Sequence, residues 1–295
     1  MTSSATDVQQ KTANIIDNTD IIASEPHILQ SLVDPYPGNG KDDATAPTSV
    51  LQLLQKQLQN EAANGWDLAC LPRPWKMILD PDQADPLSIA PKHTLPPISI
   101  PESVNMGPTL LFPELYFSVY ANQDVETVPP TSDIASSLLR DALIDTINIL
   151  DYNRVATARF LIDIDSYFSP GTFVKRATPY DRLREVDGDR PTWKPEDVIV
   201  DAAFAQMLHL PAAEHELVYY HAVLTEACKL APAAVAPSLG RAIRYLYRNL
   251  DRMDMELSQR FLDWFAHHLS NFGFTWKWTE WLVLPLSYPQ SLLMV

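Results

Sequence analysis

The sequence predicts an all-α fold, an α-α superhelix of antiparallel helix pairs of the armadillo/HEAT-like kind. Three observations predict it. From residue 131 onward, apolar residues recur at three- and four-residue spacing through six successive segments. Short connections bearing helix-cap and helix-stop residues separate most of those segments. No stretch alternates apolar and polar residues as a half-buried strand would. Helices of about 15–20 residues joined by short loops bury their apolar stripes by stacking as antiparallel pairs.

Taken in order, residues 1–47 are rich in Ser, Thr, Asp, Asn and Gln and poor in aromatics. Such a composition buries too little apolar area to offset ordering entropy, so a disordered N-terminus is expected. Residues 48–130 read as a short helix followed by a proline-rich extended linker. The helix has Thr48 or Ser49 as cap and Leu51, Leu54 and Leu58 on one face, and it breaks at Asn64-Gly65. Across 71–113 a proline every few residues removes a donor and drives its predecessor out of the helical region. That pattern predicts a strap laid over a neighbouring surface. The helical-repeat region is 131–281, and 282–295 is an uncharged, largely apolar tail.

Within 131–281 the first helix is capped near Ser132-Asp133 and aligns Leu139, Leu143, Ile147 and Leu150. Asn153 caps the second, with Phe160, Leu161, Ile164 and Phe168 inward and a stop at Ser169-Pro170-Gly171. The third opens at Pro195-Glu196-Asp197, proline in the first turn and acids at the positive end of the dipole, and buries Val200, Phe204 and Met207. The fourth runs from near Glu214 to Lys229 with Leu217, Tyr220, Leu224 and Cys228 inside. The fifth aligns Leu239, Ile243, Leu246 and Leu250. The sixth starts at Asp254 and ends at Gly273, a residue suited to a left-handed cap. The long connection, 169–194, is polar and proline-bearing, and reads as a surface loop.

Composition narrows the function classes. The 295 residues carry 37 acidic and 22 basic side chains, a formal charge of −15. Eight glycines include no G-x-G-x-x-G and no Gly-Lys-Ser/Thr phosphate loop, so dinucleotide-fold and P-loop chemistry are not expected. Cys70 and Cys228 are too few and too distant for a zinc knuckle or a disulfide framework, and fit a reducing compartment. The start has no positive n-region or apolar h-region, and no run of about 18 uncharged apolar residues predicts a membrane span. An acidic chain is poorly suited to grip phosphates through its overall field.

The sixth segment and its exit read Arg260-Phe-Leu-Asp-Trp-Phe-Ala-His-His-Leu-Ser-Asn-Phe-Gly-Phe-Thr-Trp-Lys-Trp-Thr-Glu-Trp281. This run resembles the signature of the large subunit of the nuclear cap-binding complex, as do the Phe204–Leu210 helix end before Pro211, Glu226-Ala-Cys-Lys-Leu230 and Tyr245-Leu-Tyr-Arg-Asn-Leu250. The resemblance is most specific across 196–281 and traceable back to about 110; residues 49–113 are similar to the family's proline-rich passage between helical domains. It implies successive helical-repeat domains related to the middle domain of translation initiation factor 4G. It implies a non-enzymatic nuclear scaffold that can also reach the cytoplasm, with no cofactor or metal. Its partners would be a small cap-binding subunit with an RNA-recognition fold, capped RNA indirectly, and factors for splicing, mRNA export and nonsense-mediated decay. The family's first domain and its import segment are not matched, and Leu282–Val295 departs from the charged continuation the family has. The expectation is a partial chain of such a subunit.

Two sets of residues are candidates for function. The signature residues Phe261, Trp264, Phe265, His267, His268, Asn271, Phe272, Trp276 and Trp278 read mainly as structure. A turn of about 100° per residue puts His268 with Phe265, Leu269 and Phe272 as a buried, hydrogen-bonded core histidine, and His267 on the polar side as a partner of Asp263. Adjacent histidines cannot share a metal as an i, i+4 pair does. Trp264, Trp276, Trp278 and Trp281 read as a packed corner, with a base- or cap-stacking platform as the alternative. The second set is a basic stripe, Arg241, Arg244, Arg248 and Arg252, which is either a solvated face or a docking face for an acidic partner or RNA phosphates. Asp163 and Asp165 point apart if helical, so they form no catalytic dyad. No catalytic residue is assigned. The rival readings are a degenerate fragment that binds nothing and an all-α enzyme with a histidine or metal site near His267.

Overall fold

The structure is a computed structural model that describes residues 10–21, 35–36, 49–73, 91, 114–185 and 191–281, apart from 12, 67 and 122. Seven helices are bounded: α1 (Val50–Ala63), α2 (Ile134–Ile149), α3 (Arg154–Ile162), α4 (Pro195–Met207), α5 (Leu217–Leu230), α6 (Pro232–Arg248) and α7 (Met255–Asn271). Short 3-10 turns occupy Ile164–Ser166, Tyr180–Glu185, Leu250–Arg252 and Trp278–Glu280. Among the described residues there is no strand, only an isolated bridge between Ser49 and Leu115. The all-α expectation holds. No helix among the described residues is long and apolar enough to cross a membrane.

The helices stack in two layers. α2, α4 and α6 lie side by side in one, α3, α5 and α7 in the other, and α1 leans on α2. Successive helices therefore alternate between layers, which is the superhelix of antiparallel pairs that the spacing predicts. Caps fall where the sequence puts them: Asp133, Asn153 and Asp254 accept from the backbone N–H of Ala135, Ala156 and Glu256. Past α7, Gly273 adopts φ +63, the left-handed geometry that ends a helix.

α4 is the central helix. Eleven of its thirteen residues are buried, so both faces pack. Leu139, Leu143, Ile147, Val200, Phe204, Met207, Leu224, Ile243, Leu246, Phe261 and Trp264 are all excluded from solvent and form one continuous core. Phe204 meets Trp264 edge-on at 4.7 Å, which joins α4 to α7.

Four expectations need correction. Phe160 faces out and is 47% exposed, because α3 ends at Ile162 and the chain tightens into a 3-10 turn that carries Ile164 and Phe168 inward without it. α1 does not bury its leucine stripe: Leu51 and Leu58 are exposed, whereas Gln55 and Gln57 are buried. Gln57 donates to the Thr131 carbonyl at 2.7 Å and accepts from Ser137; Gln55 donates to Asp20. The connection 169–194 is not merely surface, since Thr172, Leu183 and Lys194 are buried. Within the N-terminus expected to be disordered, residues 10–11 and 13–21 are helical. Tyr36 stacks on Phe117 at 4.6 Å and donates to the Leu208 carbonyl.

Most of the strap expected across 71–113, and the tail 282–295, lie outside the described residues. Residues 114–121 and 123–130 form no helix and turn at 119–121. Phe117, Val119 and Tyr120 anchor them in the core, and Ser118 and Thr127 are buried beside them.

Candidate functional site

The arginine stripe on α6 does not act as one surface. Arg241 turns into the protein. Its Nη2 reaches both carboxylate oxygens of Asp197 on the first turn of α4, and its Nη1 donates to Gln123 at 2.8 Å. Its guanidinium lies 5.1 Å from the Tyr120 ring and 4.8 Å from the Tyr180 ring. Asp197 has no exposed side-chain surface. Arg244 is half-buried, 2.8 Å from Glu280 and 5.1 Å from the Trp276 ring. Arg248 and Arg252 are exposed and form no ion pair among the described residues. The stripe thus separates into one buried strut, one corner tie and two free cations.

Arg241 belongs to a buried polar network that periodicity did not reveal. Asp201, one turn after Asp197, accepts from Arg140 of α2 at 2.7 Å, from Ser118 Oγ at 2.7 Å and from Val119 N–H at 2.8 Å. Burial pushes its carboxyl above the usual range, against the lowering effect of Arg140 and these donors. Ser238 of α6 donates to Asp197, and Tyr120 donates to the Ser238 carbonyl at 2.9 Å. Lys194 and Glu196 pair at 2.9 Å with almost no exposure, and Lys194 Nζ donates to the Thr178 carbonyl. These contacts tie α2, α4, α6 and the 114–130 segment together. Three acids in six residues, Glu196, Asp197 and Asp201, on a helix otherwise mostly apolar were the available signal.

The signature residues assemble at the exit of α7. Phe261 and Trp264 are inside, and Phe265 stacks at 5.9 Å on Phe261. Trp276 meets Phe265 edge-on at 5.6 Å; Trp281 lies 5.4 Å from Phe265 and stacks flat on Tyr247 at 3.9 Å. Trp278 packs edge-on to Trp281 and is 46% exposed. The result is a packed corner closing the ends of α6 and α7, with Arg244–Glu280 as its outer tie. Phe272 sits 4.7 Å from His268. Asn271 is exposed and donates to the His267 carbonyl at 2.9 Å.

Both histidines depart from expectation. His268 stacks on Trp264 at 5.2 Å, but its buried Nδ1 has no hydrogen-bond partner. His267 does not pair with Asp263, whose carboxylate accepts from Gln259. It packs instead against His221 of α5, ring centroids 5.3 Å apart, because the two helices face each other there. Burial, reinforced by the positive potential of His267, pushes His221 and His268 each down to about 4. Asp163 and Asp165 are brought together after all: both accept from Arg176, since the helix has already ended at Ile162. They form an ion-pair clamp on a cation. Among the described residues no group of three or more His, Cys, Asp or Glu side chains could hold a metal. Cys70 and Cys228 are buried free thiols.

Arg260 was quoted only as the start of the signature, and its role was missed. Buried on α7, it donates to the carbonyls of His209 at 2.8 Å and Pro211 at 3.0 Å, past the end of α4. It therefore ties α7 to the loop that leaves α4, with a longer 3.4 Å contact to the Met207 carbonyl at the helix end.

Comparison with known proteins agrees with this architecture. The profile described as MIF4G like matches residues 129–294, more than half of the chain. Nuclear cap-binding protein subunit 1 of Schizosaccharomyces pombe is 39% identical over 237 residues, covering 79% of this chain and 29% of that protein. Nuclear cap-binding protein complex subunit 1 of Eremothecium gossypii is 32% identical over 266 residues, or 83% and 30%. The human nuclear cap-binding protein subunit 1 is 45% identical over 83 residues, or 28% and 10%. The chain thus spans less than a third of the length of these relatives.

Proposed function

The chain belongs to the MIF4G-like family, and on that premise we propose that it acts as a scaffold in a nuclear cap-binding complex. In this reading it forms part of a large subunit that holds a small subunit with an RNA-recognition fold and supports 7-methylguanosine cap binding without touching the cap. The same scaffold serves splicing, mRNA export and decay factors in the nucleus.

One observation carries the reading: 39% identity over 237 residues, 79% of this chain, to a nuclear cap-binding subunit. The geometry is consistent with it. Buried ion pairs lock the array, and Trp276 and Trp281 pack into the corner beside the partly exposed Trp278. A rigid array helps a partner by fixing the partner's loops in advance, which removes an ordering cost from ligand binding. Arg248 at the end of α6 and Arg252 in the turn after it are exposed, form no ion pair among the described residues, and support docking of an acidic surface.

Co-expression with a small cap-binding subunit, followed by size-exclusion chromatography and titration with a fluorescent 7-methylguanosine nucleotide, tests the proposal. A stable complex whose cap affinity exceeds that of the small subunit alone is expected. Failure to form a complex overturns it.

A further inference from the structure

A second surface lies at the opposite end of the array from the tryptophan corner. A cleft of about 710 Å³ opens where the end of α1 and the Leu68–Cys70 turn meet the start of α2 and the Pro170–Thr172 turn. That volume lies within the range of small-ligand sites, about 300–1,000 Å³. Among the described residues that line it, the charged side chains are the acids Glu61 and Asp133. No ion pair joins either carboxylate to another described residue. Asp133 uses one oxygen, Oδ1, to cap α2 at Ala135 N–H, and Glu61 uses Oε2 for a long 3.4 Å contact with Leu68 N–H. Among the described residues, each therefore keeps an oxygen without a partner. Burial pushes the Cys70 thiol up, and the negative charges of Asp133 and Glu61 push it further the same way. Trp193, half-buried, supplies an aromatic wall, and Pro170, Gly171 and Pro191 complete a rim without long side chains.

We infer that this cleft is a docking site for an arginine-bearing peptide segment of a partner protein, with a guanidinium held between Glu61 and Asp133 beside Trp193. Charge complementarity selects the cation. Two carboxylates each with a free oxygen, next to an indole, suit a planar donor fork that also stacks, which a lysine ammonium does not match. The volume exceeds what one guanidinium needs, so neighbouring backbone lies along the proline rim. The inference does not rest on the cap-binding reading, and its test needs neither a small subunit nor a cap analogue.

The full chain is titrated with a fluorescein-labelled Gly-Arg-Gly-Arg-Gly-Arg-Gly peptide, followed by anisotropy, with the lysine and glutamate counterparts as controls. Saturable, salt-sensitive binding of the arginine peptide is expected, at least tenfold weaker in E61Q/D133N. Asparagine caps a helix as well as aspartate, so that variant loses charge while keeping its fold, which an unchanged melting temperature verifies. No binding, equal binding of the lysine peptide, or unchanged affinity in E61Q/D133N overturns the inference.

Discussion

Arg241 on α6 reaches across to Asp197 on the first turn of α4, and both oxygens of a carboxylate with no exposed surface accept from the same Nη2. The pair sits under two tyrosine rings and shares its acid with Ser238. A residue that counts as surface charge in a helical-wheel reading is thereby part of the core. The same helix sends Arg248 into solvent seven residues later.

Asp197→Ala and Arg241→Ala should each destabilise the chain by about 3–5 kcal/mol, because each leaves an uncompensated buried charge. Arg248→Ala should change stability by no more than about 0.5 kcal/mol, as expected of an exposed site. Urea unfolding of the three variants checks the contrast. Equal, small effects would mean that the guanidinium of Arg241 is solvated rather than buried.

His221 and His268 make stability depend on pH. Each is pushed down to about 4, while an unfolded-chain histidine titrates near 6.5. Between these values the unfolded state binds more protons, so stability rises with pH through this window. The contribution is complete above about 6.5 and is lost as pH falls toward 4. Melting temperatures of the parent and of H221L/H268F, compared from pH 4.5 to 7.5, should show a shallower slope in the variant. Parallel curves would exclude both histidines as the source.

Two glycines should respond to alanine with opposite signs. Gly273 holds φ +63 with open space around a would-be Cβ, so G273A gains no clash but adopts a left-handed conformation at a cost of about 1–2 kcal/mol. Gly240 is inside α6 at ordinary helical φ, and its Cβ would lie 3.1 Å from Arg244 Nη1. That atom ends a flexible side chain and can yield. G240A should therefore gain up to about 1 kcal/mol of helix propensity. Thermal unfolding distinguishes the two outcomes.

Periodicity made the helices legible because burial in a stacked array repeats along the chain. Asp133, Asn153 and Asp254 were readable as caps for the same local reason, and Leu139, Leu143, Phe204 and Leu246 as core. What escaped were contacts between elements distant in sequence. Nothing near Gln57 announces that Thr131 and Ser137 will satisfy its amide, and nothing near Asp201 announces Arg140 and Ser118. The wheel placed His267 correctly off the core face of α7 but could not foresee that α5 would set His221 against it. The arginine stripe failed for the same reason. Its spacing was real, but the depth of each position depends on what packs beside it.

Arg260 gives the sharpest test of chemistry over charge. It is 6% exposed and donates to the carbonyls of His209 and Pro211, while its Nε is 2.9 Å from the partly exposed Glu256. Lysine at this position keeps the positive charge but presents a single nitrogen, which cannot reach both carbonyls and Glu256 with the same fan of donors. R260K should therefore lose much of what R260A loses, at most about 2–6 kcal/mol if two part-buried carbonyls are left unpaired at up to about 1–3 kcal/mol each. Glu256→Gln removes only the exposed end of the interaction and should cost under about 1 kcal/mol. Equilibrium unfolding of R260K, R260A and E256Q resolves the order. If R260K instead matched the parent, the charge alone would be what joins α7 to the end of α4, and the donor geometry would be incidental.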